Sequence, residues 1–284
     1  MKREFILKPS LSGFIKSLTS RFRFMRYICG LESAFSFLVW IFLSSLPRRM
    51  ELWFPHSLME KRRVLLETLF ERLVFKVNGV KYTPLSFDKL PAILPEVESW
   101  MRKYLKLKRG DVFLDIGAHI GKYALWASKK VGKEGLVVAL EPHPENFKAL
   151  IKGAALSPFK NIIALNLAAW NKECKLPLFI SDSSGEHSLK LDRGLGSIEV
   201  QAKPLDKLVK ELNLKRIDWV KIDVEGAWME VLEGMKEVIK KNSPRIIVEV
   251  WSEREKVIQF LELYNYRAKI IDESYGEYIY FSKN

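Results

Sequence analysis

The residues that most clearly indicate chemistry lie in one short segment, residues 115–121 (Asp-Ile-Gly-Ala-His-Ile-Gly). An apolar run ends in Asp115, and two glycines follow four residues apart, Gly117 and Gly121. A buried parallel strand is typically such an apolar run, and glycine lets the backbone approach a ligand that a Cβ atom would block. A helix-compatible segment begins at Lys122. Strand, glycine turn and helix in this order predict a nucleotide-binding turn at the carboxyl end of a sheet.

The acidic residue before this turn narrows the choice of ligand. The glycine spacing is G-x-x-x-G, so the dinucleotide fingerprint G-x-G-x-x-G is absent. A carboxylate at Asp115 would repel a pyrophosphate, whereas it can hold a cation. We therefore expect S-adenosylmethionine, whose sulfonium and ammonium groups lie close together, as the cofactor.

Carboxylates at two further predicted strand ends extend the site. Glu141 comes about 20 residues after the glycine turn, where a carboxylate can accept hydrogen bonds from both ribose hydroxyls of an adenosine cofactor. Asp223 ends a later strand, and Glu225 lies in the loop that follows. Two carboxylates so placed can orient an ammonium group or act as a base. The alternative is that these acids collect at a helix N-terminus, where the helix dipole favours them.

The candidate catalytic residues are His187, Asp223 and Glu225. Methyl transfer needs mainly positioning, but a hydroxyl acceptor also needs a proton acceptor within reach. His187 lies in a polar, glycine-bearing insertion over residues 181–196, and histidine titrates in the useful range. The alternative for it is an ordinary surface-loop histidine. The four histidines are scattered along the chain, so no metal site is predicted.

The elements that must position these residues alternate between strand and helix, which predicts an α/β fold. A period-two segment over 74–82 contains Asn78-Gly79, a pair typical of a hairpin turn. Helices are predicted over 96–105 and 229–241, among others. The end of the chain predicts two antiparallel strands, over 266–271 and 278–281.

Charge divides the chain unevenly. Residues 1–110 carry 21 Lys+Arg against 9 Asp+Glu, and the rest carry 26 against 25. The basic, aromatic segment 1–30 predicts either contact with an acidic surface, lipid or nucleic acid, or a helix with a solvated charged face. Segment 33–46 is apolar all round but short of the roughly 20 residues that span a bilayer, so a buried helix and a shallow membrane contact both fit. We place a boundary near residue 73, between a basic, mainly helical region (1–73) and a catalytic domain (74–284).

Several motifs together resemble the FkbM family of S-adenosylmethionine-dependent methyltransferases, over about residues 74–284. They are residues 115–121, Glu141-Pro142, residues 205–208 and residues 221–226. The resemblance implies a class I methyltransferase (Rossmann-like) fold, with a mostly parallel seven-stranded sheet and an antiparallel final strand. It also implies O-methylation of sugar, polyketide or similar hydroxyls. The expected cofactor-binding residues are Asp115, Gly117, Ala118, His119, Gly121, Glu141, Pro142, Ala168 and Asp223.

Two positions depart from the family pattern. His119 stands where the family usually has Asn, which affects contacts to the methionine end of the cofactor. Trp228 stands where the family usually has an acidic residue, which affects the substrate mouth.

The expected function is methylation of a hydroxyl on a small molecule, glycan or lipid-linked substrate. The expected location is cytoplasmic, either without a membrane contact or with a peripheral one through the N-terminal region. One alternative is an RNA methyltransferase that uses this basic region; the nearly neutral catalytic part argues against nucleic acid. Another is a non-catalytic cofactor-binding or membrane-associated protein.

Overall fold

The computed structural model describes residues 21–45, 56–271 and 278–283, without the side chains of Ser45 and residues 56–59. Two 3-10 helices, Arg23–Tyr27 and Leu90–Ile93, accompany the main elements. The helices and strands follow in chain order: α1 (Leu31–Ser45), α2 (His56–Glu71), β1 (Phe75–Val77), β2 (Val80–Tyr82), α3 (Met101–Tyr104), β3 (Val112–Ile116), α4 (Lys122–Val131), β4 (Leu136–Leu140), α5 (Pro144–Ala155), β5 (Ile162–Leu165), β6 (Ala168–Ala169), β7 (Cys174–Phe179), β8 (Ser197–Lys203), α6 (Leu205–Glu211), β9 (Trp219–Ile222), α7 (Trp228–Glu233), α8 (Lys236–Asn242), β10 (Arg245–Glu249), α9 (Arg254–Glu262), β11 (Arg267–Ile270) and β12 (Tyr278–Ser282).

Seven strands form the central sheet, in the order β11-β12-β10-β9-β3-β4-β5. Strands β10, β9, β3, β4 and β5 pair in parallel, and β12 runs antiparallel to both of its neighbours. The predicted fold is thereby confirmed: a class I methyltransferase sheet, mostly parallel, with an antiparallel final strand. Five parallel strand ends therefore meet at one edge of the sheet, where a ligand can span several of them.

Helices cover both faces of this sheet, so its central strands are apolar on both sides. Leu114 and Val220 point into one buried cluster, together with Trp228 and Met235 from the helical side. Phe113 and Trp219, their neighbours along the same strands, belong to the cluster on the opposite face. This alternation with period two fixes which residues reach each layer.

The hairpin prediction is confirmed. Strands β1 and β2 pair antiparallel, with Val77 opposite Val80. Asn78 and Gly79 both have positive φ, 51° and 77°. A type I′ turn requires this at its two central positions.

A smaller sheet of three strands, in the order β6-β8-β7, flanks the insertion over residues 181–196. Strands β7 and β8 pair antiparallel along their length, and Phe179 makes a further bridge to Ser188 within the insertion. The insertion is thus held at both ends by strands.

Two helix predictions are wrong in extent. The helix predicted over 96–105 consists only of α3, because Glu98 adopts a positive φ of 49° and starts a turn. The helix predicted over 229–241 is divided into α7 and α8 at Gly234. A Cβ atom at Gly234 would lie 2.1 Å from the carbonyl oxygen of Trp170, so the chain there passes too close for any side chain.

The N-terminal helices share a buried cluster with the hairpin. Phe37 and Trp40 from α1 pack with Phe70 from α2 and Phe75 from β1. The cluster extends across residue 73, and the boundary placed there stays a prediction. Residues 1–20 of the basic segment lie outside the described residues.

The apolar segment predicted over 33–46 forms most of α1, and it is buried on one face only. A stripe on its other face is exposed, spaced at i, i+4, i+7 and i+11: Leu31, Phe35, Leu38 and Phe42. None of the helices in the described ranges has the length and apolar character needed to cross a membrane.

Candidate functional site

A pocket of about 920 Å³ opens where the parallel strands end. Its lining includes nine of the residues expected from the sequence: Gly117, Ala118, His119, Glu141, Pro142, Ala168, His187, Asp223 and Glu225. Asp115 and Gly121 lie outside the lining. The structure thus brings together residues as distant in the chain as Gly117 and Glu225.

The glycine turn is shaped by close backbone contacts. A Cβ atom at Gly117 would lie 1.7 Å from the carbonyl oxygen of Asp223, so the turn and the end of β9 touch directly. His119 has a φ of 52°, in the left-handed region. Asparagine populates that region more readily than most side chains, which explains why the family's usual residue suits this position. Gly121 packs against Leu150, 2.7 Å from where its Cβ would stand.

Glu141 is a buried carboxylate presented to the pocket. Its Oε2 accepts a hydrogen bond from the His119 backbone N–H at 2.8 Å, and its Oε1 accepts one from His143 N–H at 2.9 Å. Burial raises the pKa of Glu141 to about 7. The Asn146 side chain is a further donor to this carboxylate. The lone pair that these three donors leave can accept a hydroxyl group, as a ribose presents.

Asp115 lies behind the pocket wall. It is fully buried and stands in register with Lys221 on the neighbouring strand β9. The Lys221 Nζ lies 3.9 Å from Asp115 Oδ1 and 2.7 Å from Asp223 Oδ2. Asp115 therefore acts on the pocket through Lys221, which in turn holds Asp223.

Three carboxylates gather at the ends of β9 and β10. Oxygen atoms of Asp223, Glu225 and Glu249 lie within 4.8 Å of one another. Burial and the Asp223 carboxylate raise the pKa of Glu249 well above its usual range, while Lys221 outweighs burial and lowers the pKa of Asp223. Asp223 is thus the ionised member of a carboxyl pair, able to accept a proton. Together these carboxylates could also hold a metal ion, which the sequence analysis did not predict.

The insertion over 181–196 is tied to the glycine turn. The Ser184 Oγ lies 3.1 Å from His119 Nε2, and the Ser184 carbonyl accepts a hydrogen bond from Asn146 Nδ2 at 2.8 Å. Although residues 119 and 184 are distant in sequence, they close one wall of the same pocket.

His187 stacks on His143, with ring centroids 4.1 Å apart. Its Nδ1 accepts a hydrogen bond from the Ser181 backbone N–H at 3.0 Å, so a neutral His187 carries its proton on Nε2. Burial lowers the pKa of His187, and the charge of Lys89 lowers it further. The structure places this residue next to His143 at the pocket, and its role as a base stays a prediction.

Sequence reasoning missed Glu98 and Glu249. Glu98 accepts hydrogen bonds from Lys122, Tyr123 and Tyr278 at the pocket. Because Glu98 lies within the helix predicted over 96–105, its sequence context was typical of a solvent-exposed charged residue. Glu249 ends strand β10, and an acid at a strand end was the same signal that identified Glu141.

Trp228 is buried beneath the pocket wall and does not line it. Its ring packs edge-to-face on Trp251 at 5.1 Å, and Trp251, 41% exposed, lines the pocket. Trp228, which departs from the family pattern, therefore packs against the aromatic ring of Trp251 at the pocket. Its own side chain does not reach the mouth of the pocket.

The sequence of this chain is similar to those of known methyltransferases. The model of the "Methyltransferase FkbM domain" family matches residues 115–268. The hexuronic acid methyltransferase AglP of Haloferax volcanii is 28% identical over 141 residues, which cover 49% of this chain and 56% of that protein. Methyltransferase sdnD of Sordaria araneosa is 26% identical over 177 residues, covering 51% of this chain and 68% of that protein.

A crystal structure of methyltransferase FkbM from Methylobacillus flagellatus KT aligns with a TM-score of 0.48 and 10% identity, covering 95% of this chain and 60% of that one. The chain spans 56% of the length of the Haloferax relative named above. The family match itself covers more than half of this chain and includes the glycine turn, Glu141 and the end of β9. On this ground the protein belongs to the methyltransferase FkbM domain family.

Proposed function

We propose that this protein transfers the methyl group of S-adenosylmethionine to a hydroxyl oxygen of a small-molecule, glycan or lipid-linked acceptor. The observation that carries the proposal is Glu141, a buried carboxylate at the pocket beside the glycine turn. Such a carboxylate can accept a hydrogen bond from a ribose hydroxyl, whereas it repels an anionic phosphate group. Pro142 and Ala168, which also line the pocket, supply apolar surface for the adenine.

When bound, S-adenosylmethionine supplies a methyl group already activated by its sulfonium. The chain's own residues then have to orient the acceptor and take its proton. Asp223 suits the second task, because Lys221 keeps it ionised and the neighbouring Glu249 already holds a proton. Glu225 and His187 remain the other candidates.

The acceptor side supports a polyhydroxylated substrate. Trp251 offers an exposed aromatic surface, and the carboxyl groups of Asp223, Glu225 and Glu249 offer oxygen acceptors for hydroxyl groups. The Haloferax relative is named a hexuronic acid methyltransferase, which also favours a sugar.

A labelled methyl-transfer assay tests the proposal. The purified protein is incubated with methyl-labelled S-adenosylmethionine and separate lipid, glycan, RNA and metabolite fractions, and the labelled product is identified by mass spectrometry. We expect label in a glycan, lipid-linked or small-molecule hydroxyl, and at least a hundredfold less with Asp223→Asn. Lys236→Gln, on the surface of α8, is the control variant. It should retain full activity. Label found only in RNA, or in no fraction, would contradict the proposal.

We further propose that α1 contacts an anionic lipid surface. Its exposed stripe carries two phenylalanines, Phe35 at 70% and Phe42 at 67% exposure. Arg23 and Arg26 are exposed just before the helix, in a region whose basic residues outnumber its acidic ones. Apolar side chains flanked by arginines match the interface of anionic lipids. The buried face of α1 belongs to the same cluster as Leu90 and Ile93. Between these two residues in the chain, Pro91 and Ala92 line the pocket. This proximity of α1 to the pocket suits a lipid-linked acceptor.

A further inference from the structure

Glu98 collects three side-chain donors at the pocket. Its Oε2 accepts from Lys122 Nζ and from Tyr123 OH, both at 2.6 Å, and its Oε1 accepts from Tyr278 OH at 2.7 Å. Because a carboxylate oxygen has two lone pairs, Oε2 is fully used and Oε1 keeps one. The side chain is 27% exposed and lines the pocket, so this lone pair is available to a ligand.

Lys122 has a matching donor to spare. Its Nζ donates to Glu98 Oε2 and to the Val97 carbonyl at 2.9 Å, which uses two of its three protons. Lys122 is also the first residue of α4, where the helix dipole favours an anion. A carboxylate and an ammonium group thus stand side by side at the pocket, complementary to the two charges of an α-amino acid.

The strand order places this pair at the opposite end of the pocket from Glu141. Glu141 follows β4, on one side of the glycine turn after β3. Tyr278, which holds Glu98, lies in β12, beyond β9 and β10 on the other side. A cofactor whose ribose is bound by Glu141 and that crosses the glycine turn therefore ends at Glu98.

The local charge favours a cation at this end. Three carboxylates, those of Glu98, Asp115 and Asp223, face two ammonium groups, those of Lys122 and Lys221. Lys122 outweighs burial and lowers the pKa of Glu98, so Glu98 stays ionised. The positive φ of Glu98 is a strained conformation, which its three hydrogen bonds maintain.

We infer that Glu98 and Lys122 bind the α-ammonium and α-carboxylate groups of the methionine end of S-adenosylmethionine. This inference rests on the proposed function. It assigns the amino-acid end of the cofactor to Glu98, which precedes the segment matched by the family model. Both are positioning residues, because they fix where the activated methyl group lies relative to Asp223.

Calorimetry with two ligands tests the assignment. S-adenosylhomocysteine contains the amino-acid end, and 5′-methylthioadenosine lacks it while keeping the adenosine. Glu98→Gln should weaken S-adenosylhomocysteine about tenfold or more, because a charged hydrogen bond is lost, and leave methylthioadenosine within about twofold. The matched control is Glu96→Gln, a neighbouring acid that is 53% exposed and pairs with Arg26 at 3.8 Å. It should change neither affinity.

The outcomes separate the inference from the proposed function. Equal weakening of both ligands by Glu98→Gln would show a structural role and overturn the inference, as would unchanged binding of S-adenosylhomocysteine. Wild-type protein that binds neither ligand would overturn the proposed function itself. If Glu98→Gln fails to fold, Lys122→Met is measured with the same two ligands, and a selective loss of S-adenosylhomocysteine again supports the assignment.

Discussion

Glu141 is the residue at which the proposed cofactor binding would depend on protonation. Its two oxygens are held by backbone N–H groups of His119 and His143, yet burial still raises its pKa to about 7. The carboxyl is therefore partly protonated near neutral pH when no ligand is bound. In the proposed function a ribose hydroxyl would donate to the ionised form, so binding would favour loss of that proton.

Affinity for S-adenosylhomocysteine should consequently fall as the pH is lowered from 8 to 6. The pKa of Glu141 in the unliganded protein is about 7, so the affinity begins to fall below about pH 7. Because Glu141 must then release a proton on binding, the fall approaches tenfold per pH unit. Calorimetry across this range measures it. Burial raises the pKa of Asp115 to about 6, so this residue titrates in the same pH range. The control variant Glu141→Gln retains Asp115 and therefore separates the effect of Glu141 from that of Asp115. That variant should bind more weakly and show a flatter profile; a flat wild-type profile would contradict the prediction.

At the scale of elements, the glycine turn and the end of β9 act as one unit. Gly117 approaches the Asp223 backbone so closely that no side chain fits, and its φ of 78° favours glycine. The glycine turn and Asp223, the proposed proton acceptor, are thus held in fixed relation by backbone contact as well as by side-chain packing.

Gly117→Ala should therefore destabilise the protein by about 2 kcal/mol or more, through left-handed strain together with the clash. Urea denaturation followed by circular dichroism measures the free energy of unfolding. Gly185→Ala is the matched control, because its Cβ would meet no atom within 4 Å and its φ is not in the left-handed region. Equal stability of the two variants would show that the turn can move away from β9.

At the scale of the whole molecule, the N-terminal helices are built into the protein by their buried face. Phe37 and Trp40 pack with Phe70, Phe75 and Leu90, so α1 and the pocket-side residues share one core. The opposite face of α1 is left with an apolar stripe. A lipid surface that binds this stripe would be coupled to the pocket through the shared core.

Flotation with vesicles tests this contact. Wild-type protein should float with vesicles containing anionic phospholipid and much less with neutral ones, because both apolar burial and arginine attraction contribute. The double variant Phe35→Asp and Phe42→Asp should lose flotation. Leu263→Asp, at an apolar residue 81% exposed after α9, is the matched control and should retain it. Failure of the wild type to float, or equal loss in the control, would refute the contact.

Much of the fold, and many of the residues that line the pocket at the strand ends, could be predicted from the sequence. Apolar strands followed by Gly117, Glu141 and Asp223 are local patterns, and parallel strands bring their ends to one edge. The helix boundaries at Glu98 and Gly234 could not be predicted this way, since close contacts with distant segments override local helix preference there.

The sequence by itself determined the family, the sheet and the residues that follow its strands, because each of these depends on spacing between near neighbours. Only the tertiary structure decided what those residues face. In the folded protein Asp115 faces Lys221, and Glu249 lies beside Asp223. Glu98 accepts a hydrogen bond from Tyr278, which lies 180 positions away in the chain. Contacts of that range depend on how the strands are ordered and how the turns are packed, and no local pattern of residues encodes them.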